Sequence, residues 1–102
     1  MIEIIAYRPT DRVRIEIRGH AGYAEHGRDI ICSAVSILYF TLKERACDID
    51  QRAVSVSGTS GNAHIDIKIR NANMRECVDT IITGFRMLST EYPNNVRLKE
   101  TT

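Results

Sequence analysis

Hydrophobic and polar residues alternate along the first part of the chain in the manner of two β-strands. The segment Ile2–Tyr7 is apolar and β-branched, and residues 8–11 after it have the composition of a turn. Val13, Ile15 and Ile17 then alternate with charged residues, so that one face of this strand is polar. The pattern predicts a β-hairpin at the start of the chain.

The hydrophobic spacing becomes helical over residues 30–46. Apolar residues recur there at intervals of three or four positions: Ile31, Val35, Leu38 and Leu42. Asp29 precedes this run, and aspartate is a favourable N-cap because its carboxylate accepts the unpaired backbone N–H groups of the first turn. We therefore expect a helix that begins directly after Asp29.

The second half of the chain repeats the order of strand, strand and helix. Residues 54–57 and 64–70 alternate on either side of a polar loop, which predicts a second hairpin. Asn73 is the expected N-cap of a second helix that ends near Tyr92, and residues 96–98 form a short last strand. The predicted order is ββαββα(β).

The strands each have one polar face, so their apolar faces need a cover, and two amphipathic helices on one side of the sheet supply it. The sequence therefore predicts an α+β fold, a two-layer sandwich of a mainly antiparallel sheet with two helices on one face. With 102 residues, the chain is expected to form a single domain over residues 1–102.

Composition narrows the classes of function. The formal net charge is +1, which gives no electrostatic reason to expect direct nucleic-acid binding. No apolar run approaches the length of a membrane span, and the N-terminus lacks the pattern of a signal peptide. Three cysteines without a close pair (Cys32, Cys47 and Cys77) are typical of a reducing compartment. We expect a cytoplasmic protein without membrane contact, in which Cys47 and Cys77 are packing residues.

The candidate chemistry lies between His20 and Cys32. Cys32 falls in the first turn of the predicted helix, where free N–H groups and the helix dipole favour a negative charge such as that of a thiolate nucleophile. His20 ends the preceding strand and is a candidate general base, and N–H groups near Cys32 and Ser33 are candidate donors to an oxyanion. Ile31 and Val35 are candidates to line a groove beside the thiol.

Simpler interpretations of the same residues remain open. Cys32 is equally a small buried hydrophobic residue, and Asp29 is either a cap alone or a cap that also orients His20. The hydroxyl of Ser36, one turn after Cys32, bonds either to the helix backbone or to a substrate. A metal site is not expected, because His26 adds a ring but no fourth ligand or Cys-x-x-Cys pair exists.

The segment Gly19-His20-Ala21, followed by Gly27-x-Asp29-Ile30-Ile31-Cys32-Ser33-Ala34-Val35-Ser36, resembles the signature of the bacterial ribosomal-processing cysteine protease family, Prp. The resemblance extends over the length of the chain. It implies that Cys32 is the nucleophile, His20 the base, and Gly19, Asp29 and Ser36 the supporting residues around them. It also implies a mobile substrate loop with Gly22, Tyr23 and Gly27. Ser33 departs from the alanine that is usual in the family.

The resemblance further implies a substrate. Members of this family remove the N-terminal extension of a large-subunit ribosomal protein, cutting after two phenylalanines in a hydrophobic segment. They are homodimers and use no cofactor. Two alternatives remain, a non-catalytic ribosome-associated module that only binds a peptide, and a thiol hydrolase that acts on small acyl or amide substrates.

Overall fold

The computed structural model describes residues 1–19, 29–59 and 61–102. The chain order is ββαββαβ, with a 3₁₀ turn at Gln51–Ala53 after the first helix. The elements are β1 (Ile2–Tyr7), β2 (Arg12–Arg18), α1 (Ile30–Asp50), β3 (Val54–Thr59), β4 (Asn62–Lys68), α2 (Ala72–Glu91) and β5 (Val96–Thr101). No helix in these ranges has an apolar stretch long enough to cross a membrane.

The five strands form one sheet in the order β3-β4-β2-β1-β5. The pairs β1–β2, β2–β4 and β3–β4 are antiparallel, whereas β5 runs parallel to β1. The register aligns Ala6, Ile15, Ile65 and Val56 in one row across four strands. Because side chains alternate between the faces of a sheet, this row lies on a single face. The predicted mainly antiparallel α+β fold is confirmed.

Both helices pack on this apolar face of the sheet and on each other. Leu42 of α1 and Phe85 of α2 are fully buried in the same cluster as Ile4, Ile15 and Ile65 of the sheet. Each large apolar side chain removed from water contributes about 1.5–3 kcal/mol, so this cluster is the main source of stability. The polar opposite face of the sheet remains in contact with solvent, as the alternation in the sequence predicts.

Several predicted boundaries were wrong, including one in each helix. The second helix is capped by Asn71 instead of Asn73, because the Asn71 side chain accepts the Met74 N–H at 2.9 Å while Met74 points into the core. The first helix continues beyond residue 46 to Asp50. The charged residues of its last turns hide the apolar spacing, but Ala46 is buried and Ile49 packs on the core.

The end of β2 is shaped by a glycine. Gly19 adopts a φ of +88°, which side-chain-bearing residues rarely adopt, and a Cβ atom there would overlap the carbonyl oxygen of Met1. Its N–H donates to the carbonyl of Gly61 at 2.8 Å. This bond ties the end of β2 to the β3–β4 turn.

Candidate active site

Asp29 fixes the first turn of α1. Its Oδ1 atom accepts the N–H groups of Ile31 at 2.9 Å and of Cys32 at 3.0 Å, and the residue is only 7% exposed. A buried carboxylate at a helix N-terminus satisfies unpaired donors and interacts favourably with the helix dipole. The predicted capping role of Asp29 is confirmed, and it places Cys32 at the third helical position.

The same cap occupies the N–H groups nearest the thiol. The Cys32 N–H donates to the Asp29 carboxylate, and both the N–H (3.1 Å) and the hydroxyl (3.2 Å) of Ser33 bond to the Asp29 carbonyl oxygen. The expectation that free N–H groups near Cys32 and Ser33 would stabilise an oxyanion was therefore wrong. The Asp29 carboxylate accepts the Cys32 N–H, and the Asp29 carbonyl oxygen accepts the Ser33 N–H.

Cys32 is half-buried and lies at one end of a groove of about 550 Å³. One wall of the groove is α1 and the other is the β3–β4 hairpin. Gly19 and Ser36 line it together with Cys32. The described residues around it are Ile2, Ile17, Gly19, Cys32, Val35, Ser36, Tyr39, Phe40, Lys43, Val56, Ser57, Gly58, Thr59, Gly61, Asn62 and Ala63.

The groove exists because α1 leaves part of β3 uncovered. Val56 lies in the same row as the buried Ile15 and Ile65, yet it is 44% exposed. Phe40 of α1 is 53% exposed on the opposite side of the groove. Apolar side chains that remain in contact with solvent on both sides of a cleft are typical of a binding surface for an apolar ligand.

Tyr39 connects the two walls. It is buried, its hydroxyl donates to the carbonyl oxygen of His64 on β4 at 3.3 Å, and its ring lies edge-on to Phe40 with 5.5 Å between centroids. Burial raises the pKa of Tyr39, so the hydroxyl keeps its proton and remains a donor. Beyond Val35, this wall was not predictable from the sequence, because aromatic residues at helical spacing are usually core residues.

Of the two predicted neighbours of the thiol, Val35 lines the groove, whereas Ile31 is 1% exposed and belongs to the core. The Ser36 hydroxyl is exposed and has no hydrogen-bond partner among the described residues, so the first of its two alternatives, a bond to the helix backbone, is not seen there. His20, Gly22, Tyr23 and Gly27 lie outside the described residues.

The other candidate ligands and thiols lie away from the groove. Cys77 packs against the core, and burial raises its thiol pKa, an effect that the Arg45 charge partly opposes. Cys47 is half-buried on α1, and neither residue lines the groove. The described ranges contain no cluster of histidine, cysteine and carboxylate side chains that could hold a metal ion.

His64 lies on β4 and is half-buried. Its Nδ1 lies 3.0 Å from the Ser57 hydroxyl of β3. This contact links β3 and β4.

Comparison with known proteins finds a family to which this chain is similar. The family model described as cysteine protease Prp matches residues 1–97. The ribosomal processing cysteine protease Prp of Staphylococcus aureus is 24% identical over 83 residues, which are 78% of each chain.

Two solved structures of the S. aureus protease have the same fold. Its complex with a covalently linked product peptide has a TM-score of 0.88 at 21% identity, with 99% of this chain and 100% of the other covered. Its complex with a substrate peptide has a TM-score of 0.75 at 21% identity and the same coverage. With the family model spanning nearly the whole sequence, this chain belongs to the cysteine protease Prp family.

Proposed function

We propose that this chain is a cysteine endopeptidase that removes the N-terminal extension of a large-subunit ribosomal protein, cutting after a hydrophobic Phe-Phe segment. Family membership supports the reaction class and the ribosomal substrate. The observation that carries the proposal for this chain is the position of Cys32, a half-buried thiol in the first turn of α1 at the end of an apolar groove.

In the proposed reaction, Cys32 is the nucleophile and His20 the general base. The imidazole takes the thiol proton, and Sγ bonds to the carbonyl carbon of the scissile peptide. The bond between that carbon and the leaving nitrogen then breaks, and the imidazolium gives its proton to the departing amine. Water, deprotonated by the imidazole, hydrolyses the thioester and restores the thiol.

The supporting residues keep the two reactive groups in place. Asp29 holds the turn that carries Cys32 through its two hydrogen bonds. Gly19 allows the backbone to turn directly before His20, and Ser36 offers an exposed hydroxyl in the groove one helical turn from the thiol. Gly22, Tyr23 and Gly27 belong to a loop that we propose moves to admit the substrate.

The groove has the character that an extended apolar peptide requires. A volume of about 550 Å³ lies within the range of binding pockets, and Val35, Phe40 and Val56 provide apolar contacts. The S. aureus relative has been crystallised with a substrate peptide and with a covalently linked product peptide. We propose that this chain likewise takes a peptide, as a homodimer in the cytoplasm and without a cofactor or nucleic acid.

Cleavage of a fluorogenic peptide that spans the Phe-Phe junction tests the proposal. We expect cleavage by the wild type and by Cys47→Ala, and its loss in Cys32→Ala and His20→Ala. Cys47→Ala is the matched control because it removes a thiol from the same helix outside the groove.

If Cys32→Ala cleaves as fast as the wild type, Cys32 is not the nucleophile. If no protein cleaves a peptide that fluorescence anisotropy shows to be bound, the chain is a peptide-binding module. Turnover of small esters with no preference for the peptide would indicate a small-substrate thiol hydrolase instead.

A further inference from the structure

Lys43 is the one formally charged side chain among the described residues that line the groove. It is half-buried and makes no ion pair with any residue of the described ranges. Several other surface cations are paired, for example Arg86 with Glu100 at 2.7 Å. An ammonium group among lining residues that are otherwise uncharged attracts a negative charge on a ligand that binds there.

The position of Lys43 along α1 sets its distance from the reactive thiol. Cys32, Ser36 and Lys43 all line the groove, and the spacing of these positions places them on one side of the helix. At 1.5 Å per residue, Lys43 lies about 16 Å along the helix axis from Cys32. An extended peptide advances about 3.3 Å per residue, so about five peptide residues span this length.

Between the two ends, Val35 and Phe40 on α1 and Val56 on β3 provide apolar contacts. The hydrophobic residues that precede the cut in the proposed substrate match this middle section. The N-terminal side of the substrate then extends from the scissile bond at Cys32, across these apolar side chains, to Lys43.

We propose that Lys43 is a specificity-determining residue that pairs with an acidic side chain about five residues before the scissile bond. The inference rests on the proposed function, since it places the cut at Cys32. The pairing adds a requirement for a negative charge to the requirement for hydrophobic residues before the cut. The enzyme selects peptides with an apolar segment next to the cut and a carboxylate at the far end of the groove.

Peptides that differ only at the fifth residue before the cut test this inference, with Glu, Gln or Lys at that position and a second set varied at the fifth residue after the cut. For the wild type we expect kcat/KM to be about threefold to fivefold higher for Glu than for Lys, the size of a partly exposed ion pair. The preference should shrink at high salt.

Lys43→Glu should reverse the preference between the Glu and Lys peptides, and Lys43→Met should abolish it. Lys99→Glu is the matched control, since it makes the same change in charge on β5, at the opposite edge of the sheet from β3. It should leave the preference unchanged.

Equal cleavage of the three peptides of the first set by the wild type would refute the role of Lys43 while leaving the proposed protease intact. A preference confined to the second set would refute the direction of the peptide. If the wild type cleaves none of the peptides, both the proposed function and this inference are refuted.

Discussion

Replacement of Asp29 by alanine tests how strongly the N-cap holds the turn that carries Cys32. The substitution removes the acceptor of two N–H groups, those of Ile31 and Cys32, and the buried carboxylate beside the helix N-terminus. Loss of an N-cap side chain costs about 0.5–2 kcal/mol. Because Asp29 is 7% exposed, water does not readily replace it, and we expect a loss near 2 kcal/mol.

Thermal unfolding followed by circular dichroism measures this loss. For a domain of this size, about 2 kcal/mol corresponds to a fall in Tm of roughly 8–16 °C. Asn71→Ala is the matched control, because it removes the N-cap of α2, where the exposed Asn71 accepts a single N–H, and should cost about 1 kcal/mol or less. Asp29→Asn keeps the acceptor oxygen and should recover most of the stability.

If Asp29→Ala melts within about 2 °C of the wild type, a loss of only about 0.5 kcal/mol or less, the cap does not hold the turn. If Asp29→Asn is as unstable as Asp29→Ala, the charge rather than the hydrogen bonds provides the stabilisation. Either result would refute the claim that the two hydrogen bonds to the Asp29 carboxylate stabilise this turn.

Two further predictions follow from backbone geometry and charge. Gly19→Ala should lower the free energy of unfolding by about 1–2 kcal/mol through the positive φ alone, and by more because the added Cβ would overlap Met1. Gly84→Ala should be nearly neutral, because its added methyl would meet only the flexible end of Leu38. Urea denaturation measures both. Hydrogen bonds from Arg86 lower the pKa of Glu100. Glu100 therefore stabilises the fold fully at pH values above the ordinary glutamate pKa of about 4.3, and this stabilisation is lost as the pH falls through the lowered pKa. Glu100→Gln should therefore be less stable than the wild type at pH 7, by no more than about 1 kcal/mol, and the difference should vanish in acid; an equal deficit at both pH values would contradict this.

The strands and helices were predictable because each has a regular pattern that one apolar face imposes. Val13, Ile15 and Ile17 alternate because one face of β2 is buried, and the structure confirms the strand. The parallel pairing of β5 with β1 was not predictable, since residues 96–98 give no information about their partner. The N-cap of α2 was misassigned because Asn71 and Asn73 have equal propensity, and only the burial of Met74 distinguishes them.

The site was predictable where its residues are adjacent in sequence. Asp29 and Cys32 share one helical turn, so their relation follows from helix geometry. The groove depends on the packing of α1 against the β3–β4 hairpin, and no local pattern shows that Val56 remains exposed. The Asp29 cap was predicted, but its consequence was not: the N–H groups of Cys32 and Ser33 already have acceptors.

The identity of the reactive thiol is the central claim, and covalent trapping tests it most directly. The protein would be incubated with a hydrophobic peptide that ends in Phe-Phe chloromethyl ketone, and mass spectrometry of the digested adduct would locate the peptide on the chain. We predict that Cys32 is labelled and that Cys47 and Cys77 are not, even though all three thiols are at least half-buried. Labelling of Cys47 or Cys77, or equal labelling of all three, would contradict it.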